Sequence, residues 1–281
     1  MPIIGAHVSA AGGLRKTIEN AKKIGAECVQ IFGASPRTYE VKMPSAEEVK
    51  KYKEELEKSG IGPVFLHAAY LVNLASPNNY IREQSIKNLA GHLQIAEMIN
   101  AQGLIFHIGS GKDSSRAEAI KKTIDGMKEV LSAQGGSAKL IMENTAGGGQ
   151  SIGDTAEEIG EVLKKIKSAR VKVCIDTAHA FEAGMITEYS KAGVKKFLDE
   201  LNKYIGFKNI AAFHINDSKT LAGSHHDRHE NIGQGYIGVE GFKNLARDKR
   251  MKNMPWILEV PGFDDNGPDA RNIKILKDCC R

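Results

Sequence analysis

The sequence predicts an α/β fold, a single (β/α)₈ TIM barrel spanning residues 1–281. Three observations predict it. Eight short apolar runs alternate with longer segments of helical periodicity, the pattern of parallel strands joined by crossover helices. A chain of 281 residues is long enough for such a sheet to close on itself. The turn after the first run, GAHVSAAGG, lacks the GxGxxG spacing that the alternative, an open doubly wound sheet, usually carries there.

The candidate strands are IIGAHV (3–8), CVQIF (28–32), PVFLH (63–67), LIFHI (104–108), KLIMEN (139–144), VKVCID (171–176), IAAFHI (210–215) and WILEV (256–260). Most are rich in Val, Ile, Leu or Phe, as strands buried on both faces tend to be. Helices are expected between them. Ser45 with Glu48 reads as a capping box ahead of Val49, Tyr52 and Leu56, with Gly60 as a stop. Residues 80–100 place Ile86, Leu89, Leu93 and Ala96 on one face. Ser115 with Glu118 precedes Ile120, Ile124, Met127 and Leu131; Asp154 with Glu157 precedes Ile159, Val162, Leu163 and Ile166. Residues 188–205 carry Val194, Phe197, Leu198 and Leu201, and the last helix turns Ile273, Leu276 and Cys280 inward.

The formal net charge of +5 permits a nucleic-acid partner without requiring one. Cys28, Cys174, Cys279 and Cys280 form no CxxC pair, so reduced thiols in an intracellular, cytoplasmic protein are expected. The start, MPIIGAHVSAAGG, has no basic region before a long apolar stretch, so no signal peptide is expected. No run approaches the roughly twenty apolar residues of a membrane span, so no membrane partner is expected either.

The chemistry sits at the strand ends. Runs three to eight each carry an ionisable or imidazole side chain at or near the carboxyl end: His67, His107, Glu143, Asp176, His214 and Glu259. In a barrel those ends converge on one face. His179 follows Asp176 by three. The stretch 214–229, HINDSKTLAGSHHDRH, adds Asp227 and His229, two apart, so an extended chain points both to one side. One histidine ending a buried strand is ordinarily a hydrogen-bonded core residue. Six such strands in succession call for another explanation. Glu143 behind LIM and Glu259 behind WIL must be paired, liganded or partly wet. Nine candidate ligands exceed the three or four protein ligands of one zinc ion, which points to two or three ions. The histidine-rich mixture suits Zn²⁺; Mn²⁺ or Fe²⁺ also accept it.

At these residues the chain resembles the endonuclease IV family of apurinic/apyrimidinic (abasic-site) endonucleases, over nearly its whole length. The pieces that carry the resemblance are GAHVSAAGG (5–13), HAAYLVNL (67–74), FHIGS (106–110), IMENTAGGG (141–149), CIDTAHAFEAG (174–184), HINDSK (214–219), HHDRHENIGQGYIG (225–238) and LEVPG (258–262). Ala68 and Ile108 stand where the family often has an aspartate and a proline. The resemblance implies a zinc-dependent TIM barrel that cleaves duplex DNA 5′ of an abasic site, leaving a 3′-hydroxyl and a 5′-deoxyribose phosphate. It implies three zinc ions per chain: one on His67, His107 and Glu143; one on Glu143, Asp176, His214 and Glu259; one on His179, Asp227 and His229. The expected nucleophile is a hydroxide shared by the first two, with Glu143 and Glu259 as catalytic carboxylates. It further implies that Arg37, Tyr70 and Leu71 enter the base stack from the minor groove.

Further DNA contacts are expected from Lys219 and Arg228, which flank ligand positions, and from His7, which ends the first strand on the same face and otherwise orients a ligand. His225 and His226 precede Asp227 and are candidates to support it. The glycine runs at 12–13 and 147–149 lie in loops on that face, where backbone amides can approach a phosphate, ordinary turn geometry being the simpler reading for 147–149. The partner expected is abasic-site DNA, bound by a monomer. Two rivals stand beside this reading. A metal-dependent sugar isomerase on the same barrel would hold two ions, leaving Asp227 and His229 without a purpose. A metal-stabilised scaffold would use closed, thiolate-rich sites, and no cysteine lies near the cluster.

Overall fold

The structure, a computed structural model, describes residues 1–281. Eight strands form one closed parallel barrel: β1 (Ile3–His7), β2 (Val29–Phe32), β3 (Val64–His67), β4 (Gly103–His107), β5 (Lys139–Glu143), β6 (Val171–Asp176), β7 (Ile210–His214) and β8 (Pro255–Leu258). Each strand hydrogen-bonds to its neighbours in the chain, and β1 closes on β8, with Ile3 opposite Pro255 and Ala6 opposite Leu258. The expected barrel is therefore the observed one, and the open sheet is excluded.

The helices are α1 (Leu14–Ile24), α2 (Ala46–Ser59), α3 (Asn79–Met98), α4 (Arg116–Ala133), α5 (Ala156–Ile166), α6 (Thr177–Glu182), α7 (Lys191–Tyr204), α8 (Gly238–Ala246) and α9 (Ala270–Cys279). Their caps follow the local sequence with two departures. Ser45 and Glu48 form both halves of a capping box on α2, and Gly60 ends that helix in the left-handed region. On α4 only one half forms: Ser115 accepts from the Glu118 amide, while the Glu118 carboxylate turns to Lys122 instead. The cap of α5 is Thr155, one residue later than Asp154, because the Asp154 carboxylate is held by Arg116 at 2.8 Å. On α9 Cys279 joins Ile273 and Leu276 in the core, and Cys280, at the cap, packs half-buried against it as expected. Segments 14–24 and 238–246, for which the pattern above names no helix, are α1 and α8.

Two apolar groups make the core. The larger, 65 buried residues, fills the layer between strands and helices. The smaller fills the barrel axis: Cys28, Phe65, Ile105, Ile141, Cys174, Ala212 and Ile257, none more than 1% exposed. Strand side chains alternate in direction with period two. The residue two positions after each member of this floor is therefore also interior, one layer nearer the mouth. In order these are Gln30, His67, His107, Glu143, Asp176, His214 and Glu259. On β1, where Gly5 leaves room for Cys28, the same frame gives His7. An apolar floor thus carries a polar ring built by all eight strands.

Beyond β7 the chain forms a small antiparallel ribbon, Asp217–Ser218 against His229–Glu230, which folds the 219–228 loop back over the mouth. All four cysteines are free. No helix is long and apolar enough to cross a membrane. The floor makes a direct prediction. Ile105→Ala should cost about 2–5 kcal/mol of stability in urea unfolding of metal-free protein, through lost transfer energy plus a cavity. A loss under about 1 kcal/mol would show that the barrel axis is not packed as described.

Candidate metal centre

The ring closes on Glu143. This carboxylate has no exposed surface. Its Oε2 lies 3.2 Å from His67 Nε2 and 3.2 Å from His107 Nε2, and its Oε1 lies 2.7 Å from His214 Nδ1. Three groups of side chains could each hold a metal ion, with ligand atoms within 4.8 Å of one another: His67, His107 and Glu143; Glu143, Asp176, His214 and Glu259; and Asp176, His179 and His229. The first two are the sets expected. In the third, Asp176 stands where Asp227 was expected. Asp227 lies against the same two histidines, its Oδ1 3.3 Å from His179 Nε2 and 3.6 Å from His229 Nε2. All nine expected ligands are thus gathered at one end of the barrel.

The donor atoms fit divalent cations. His67 presents Nδ1 to the Ala68 carbonyl at 2.9 Å, and His179 presents Nδ1 to the Asn144 carbonyl at 3.0 Å. A carbonyl can only accept, so each ring carries its proton there, and the neutral ring offers the lone pair of Nε2 to the centre. The Nε2 atoms of His179 and His229 face each other at 3.4 Å. Two lone pairs at that separation repel unless a proton or a cation lies between them. Nitrogen and carboxylate oxygen without thiolate suit zinc, manganese or iron.

The electrostatics agree. Burial opposes ionisation of Glu143, but His214 and His107 outweigh it and hold the carboxyl well below the usual range. Burial likewise opposes the cation of His179, and Asp176 and Asp227 outweigh it, so that its pKa lies well above the ordinary histidine value. His214 is raised in the same way, burial being outweighed by Cys174 beneath it and by Glu259 and Glu143. His7 goes the other way, lowered chiefly by burial.

Three residues of the site escaped the sequence reading. Gln30 is fully buried in the ring, its Nε2 2.9 Å from His7 Nδ1. Asn144 accepts from the Asp176 amide at 2.6 Å. Asn216 donates to Asp176 Oδ2 at 2.6 Å and accepts from the Glu259 amide at 2.8 Å, tying two ring positions together. The available signal was the strand frame, which puts Gln30 in phase with the ligands, and the two asparagines each adjoin or nearly adjoin a ligand.

Above the ring opens a cavity of about 990 Å³, lined by His7, Phe32, His67, Tyr70, His107, His179, Asp227, Arg228, His229 and Glu259 among others. Tyr70 and Leu71 stand at its rim, 66% and 42% exposed. Tyr70 meets Phe32 edge-on at 5.5 Å, and Phe32 in turn packs on His7. Tyr39 donates to the Leu71 carbonyl at 2.8 Å, tying the loop that carries Arg37 to the Tyr70–Leu71 loop. Arg37 itself is exposed and outside the cavity lining. Lys219 is exposed, with Glu230 at 3.8 Å, and the exposed Arg228 donates to the Asp227 carbonyl at 2.7 Å. His225 does not support Asp227. It sits on the 146–149 loop, Nδ1 3.3 Å from the Ala146 carbonyl. Gly147 there has φ +82° and no room for a Cβ, which would fall 2.6 Å from the His225 ring, so turn geometry accounts for that glycine.

Comparison with known proteins places the chain in a family. Residues 18–279 match the family described as xylose isomerase-like TIM barrel. A probable endonuclease 4 of Aquifex aeolicus is 38% identical over 279 residues, covering 99% of this chain and 98% of that one. Another, from Halothermothrix orenii, is 35% identical over 275 residues, covering 98% of this chain and 99% of that one. The chain belongs to the endonuclease IV family. Among solved structures, endonuclease IV from Thermus thermophilus superposes with a TM-score of 0.87 at 32% identity, covering 99% of this chain and 98% of that one. A D-tagatose 3-epimerase-like protein, TM-score 0.70 at 20% identity, covering 98% of this chain and 97% of that one, shares the fold.

Protons and cations compete for the same imidazole nitrogens. His179 and His214, raised above their ordinary value, keep their protons to higher pH in metal-free protein and would have to give them up to bind a divalent cation such as zinc. Zinc affinity should therefore rise as pH rises. Calorimetric titration near neutral pH should give different heats in buffers of different ionisation enthalpy; equal heats would mean the ligands are already deprotonated.

Proposed function

We propose that this endonuclease IV family member repairs DNA by hydrolysing the phosphodiester 5′ of an abasic site in duplex DNA, leaving a 3′-hydroxyl and a 5′-deoxyribose phosphate, with three zinc ions held by the ring. The observation that supports this most is the ring itself: eight imidazoles and carboxylates in three adjoining sets, with Asp227 against the third, beneath an open cavity with an exposed apolar rim. Its family makes the chain a hydrolase that acts as a nuclease. Two sets would serve an isomerase; a third set on the 227–229 segment fits the extra charge of a phosphodiester.

Divalent zinc, when bound, supplies water deprotonated near neutral pH and neutralises charge on the phosphate. The protein residues do the rest. Glu143, with no solvent contact, belongs to two of the sets and fixes their separation. His67 and His107 approach it from one side, His214 and Glu259 from the other. Glu259 is also at the cavity wall, where it would orient the attacking water. His179, Asp227 and His229 bound the side where the leaving 3′ oxygen would depart. Arg228 on that wall and Lys219, paired to it along the ribbon, would meet the backbone phosphates, and His7, packed on Phe32, borders the same space.

Access to the phosphate requires the damaged nucleotide to leave the stack. A missing base lowers that cost, which is one source of selectivity. Tyr70 and Leu71 are an apolar pair already in place at the rim, and Arg37 is carried on the adjoining loop. Together they can take the space of the departed nucleotide and hold the kink.

A labelled duplex with one abasic analogue should be cut once, on the 5′ side, and chelator should abolish cutting until zinc is restored. A duplex left uncut in the presence of zinc would refute the reading. Glu143→Gln should lower kcat by more than about 100-fold, beyond what losing a ligand's hydrogen-bond partner costs, while DNA binding stays measurable. Near-normal turnover would remove Glu143 from the centre. Tyr70→Ala should lose about 1–3 kcal/mol of discrimination between abasic and intact duplex, the scale of one stacking contact. Unchanged discrimination would remove Tyr70 from the wedge.

A further inference from the structure

Seven of the eight ring positions are His, Asp or Glu. The eighth, on β2, is Gln30. A side chain packed over Cys28 in an otherwise apolar strand would ordinarily be apolar. A carboxamide with no exposed surface must find partners for both its oxygen and its nitrogen inside the protein. Gln30 finds them on two candidate ligands of one set and on His7, whose Nδ1 lies 2.9 Å from its nitrogen. Its Oε1 lies 2.8 Å from His214 Nε2, and its Nε2 lies 2.5 Å from Glu259 Oε1.

These contacts fix which way the amide faces. The Glu259 carboxylate can only accept, so the amide nitrogen, not the oxygen, must face it. Flipping the amide would set oxygen against oxygen in a buried place. The amide oxygen is then left facing His214, and an amide oxygen can only accept. His214 must therefore carry a proton on Nε2. A neutral ring so protonated has its lone pair on Nδ1. Nδ1 is the nitrogen that faces the set: Glu143 Oε1 at 2.7 Å, Glu259 Oε2 at 3.2 Å and Asp176 Oδ2 at 3.9 Å. At Glu259 the amide occupies Oε1, which leaves Oε2, on the His214 side, for a cation.

We propose that Gln30 is a positioning residue for the cation held by Glu143, Asp176, His214 and Glu259, setting the tautomer of His214 and the free oxygen of Glu259 through one carboxamide. This rests on reading the ring as a metal centre. Partners of this kind orient ligands before the cation arrives, and removing one typically weakens metal binding about 10–100-fold. In the neighbouring set, His67 takes its orientation from the Ala68 carbonyl instead.

The test counts and weighs zinc rather than turnover. Wild type and Gln30→Leu are stripped with chelator, checked for folding by circular dichroism, reloaded with zinc and titrated with a competing chelator. The expected result is that one ion per chain is weakened about 10–100-fold in Gln30→Leu while the others are held as in wild type. Equal affinity for every ion overturns the proposal. Should Gln30→Leu not fold, imidazole NMR of zinc-loaded wild type with isotope-labelled histidine decides it: His214 shows a proton on Nε2 and zinc on Nδ1, and the reverse assignment overturns the proposal. Wild type that takes up no zinc overturns the metal centre and this proposal with it, whereas zinc-binding wild type that loses nothing on Gln30→Leu overturns the role of Gln30 alone.

Discussion

A carboxylate with no solvent around it is sustainable only if positive charge surrounds it, and Glu143 is such a carboxylate. The structure answers with His67, His107 and His214 within 3.2 Å of its two oxygens. Imidazoles crowded this closely repel one another when all are protonated. The arrangement is therefore poised for divalent cations, which satisfy the carboxylate and the neutral rings together. The rest of the site follows from holding that group of charges in place. Asparagines and backbone carbonyls tie down the outer atoms of the ligands, and the apolar floor beneath keeps water from entering along the axis.

The barrel supplies this arrangement through one geometric rule. Side chains on a strand alternate, so an apolar residue on the axis commits the residue two further on to the axis as well. Phe65 commits His67, Ile105 commits His107, Ile141 commits Glu143, and so on around the sheet. Local sequence, packing and chemistry are joined here: the residues that fill the core also aim the ligands. The mouth of the barrel is where this aiming becomes useful, because the loops there can differ without disturbing the floor.

Much of this was legible in the sequence because the ligands are chemically loud. A His or Glu ending an apolar run is conspicuous, and six successive runs ended that way. The barrel was legible for a related reason: helical and strand periods alternate along the whole chain. What stayed hidden is quiet or relational. Gln30 is a neutral amide inside CVQIF and gives no sign of a role until the strand is put in register with the floor. Asn144 and Asn216 act through partners far away in sequence. Asp176 joins the third set because the turn into α6 brings it close to His179, with the His179 amide donating to its Oδ1 at 2.8 Å. Thr155 displaces Asp154 as a cap because Arg116, nearly forty residues earlier, has engaged the aspartate. Cys279 is buried in addition to Cys280, which packs half-buried on the core at the end of α9.

The rim gives the centre its scale. A small polyol needs a closed pocket, whereas Tyr70 and Leu71 stand open beside a cavity of about 990 Å³, above the ring, with Arg228 on the wall. That geometry suits an extended, charged polymer bent at one point. The most direct test of the account is anomalous diffraction at the zinc absorption edge from crystals of the zinc-loaded protein. Peaks are expected within the ring, one among His67, His107 and Glu143, one among Glu143, Asp176, His214 and Glu259, and one beside His179 and His229. A ring without peaks, its histidines paired to carboxylates by protons alone, would contradict it.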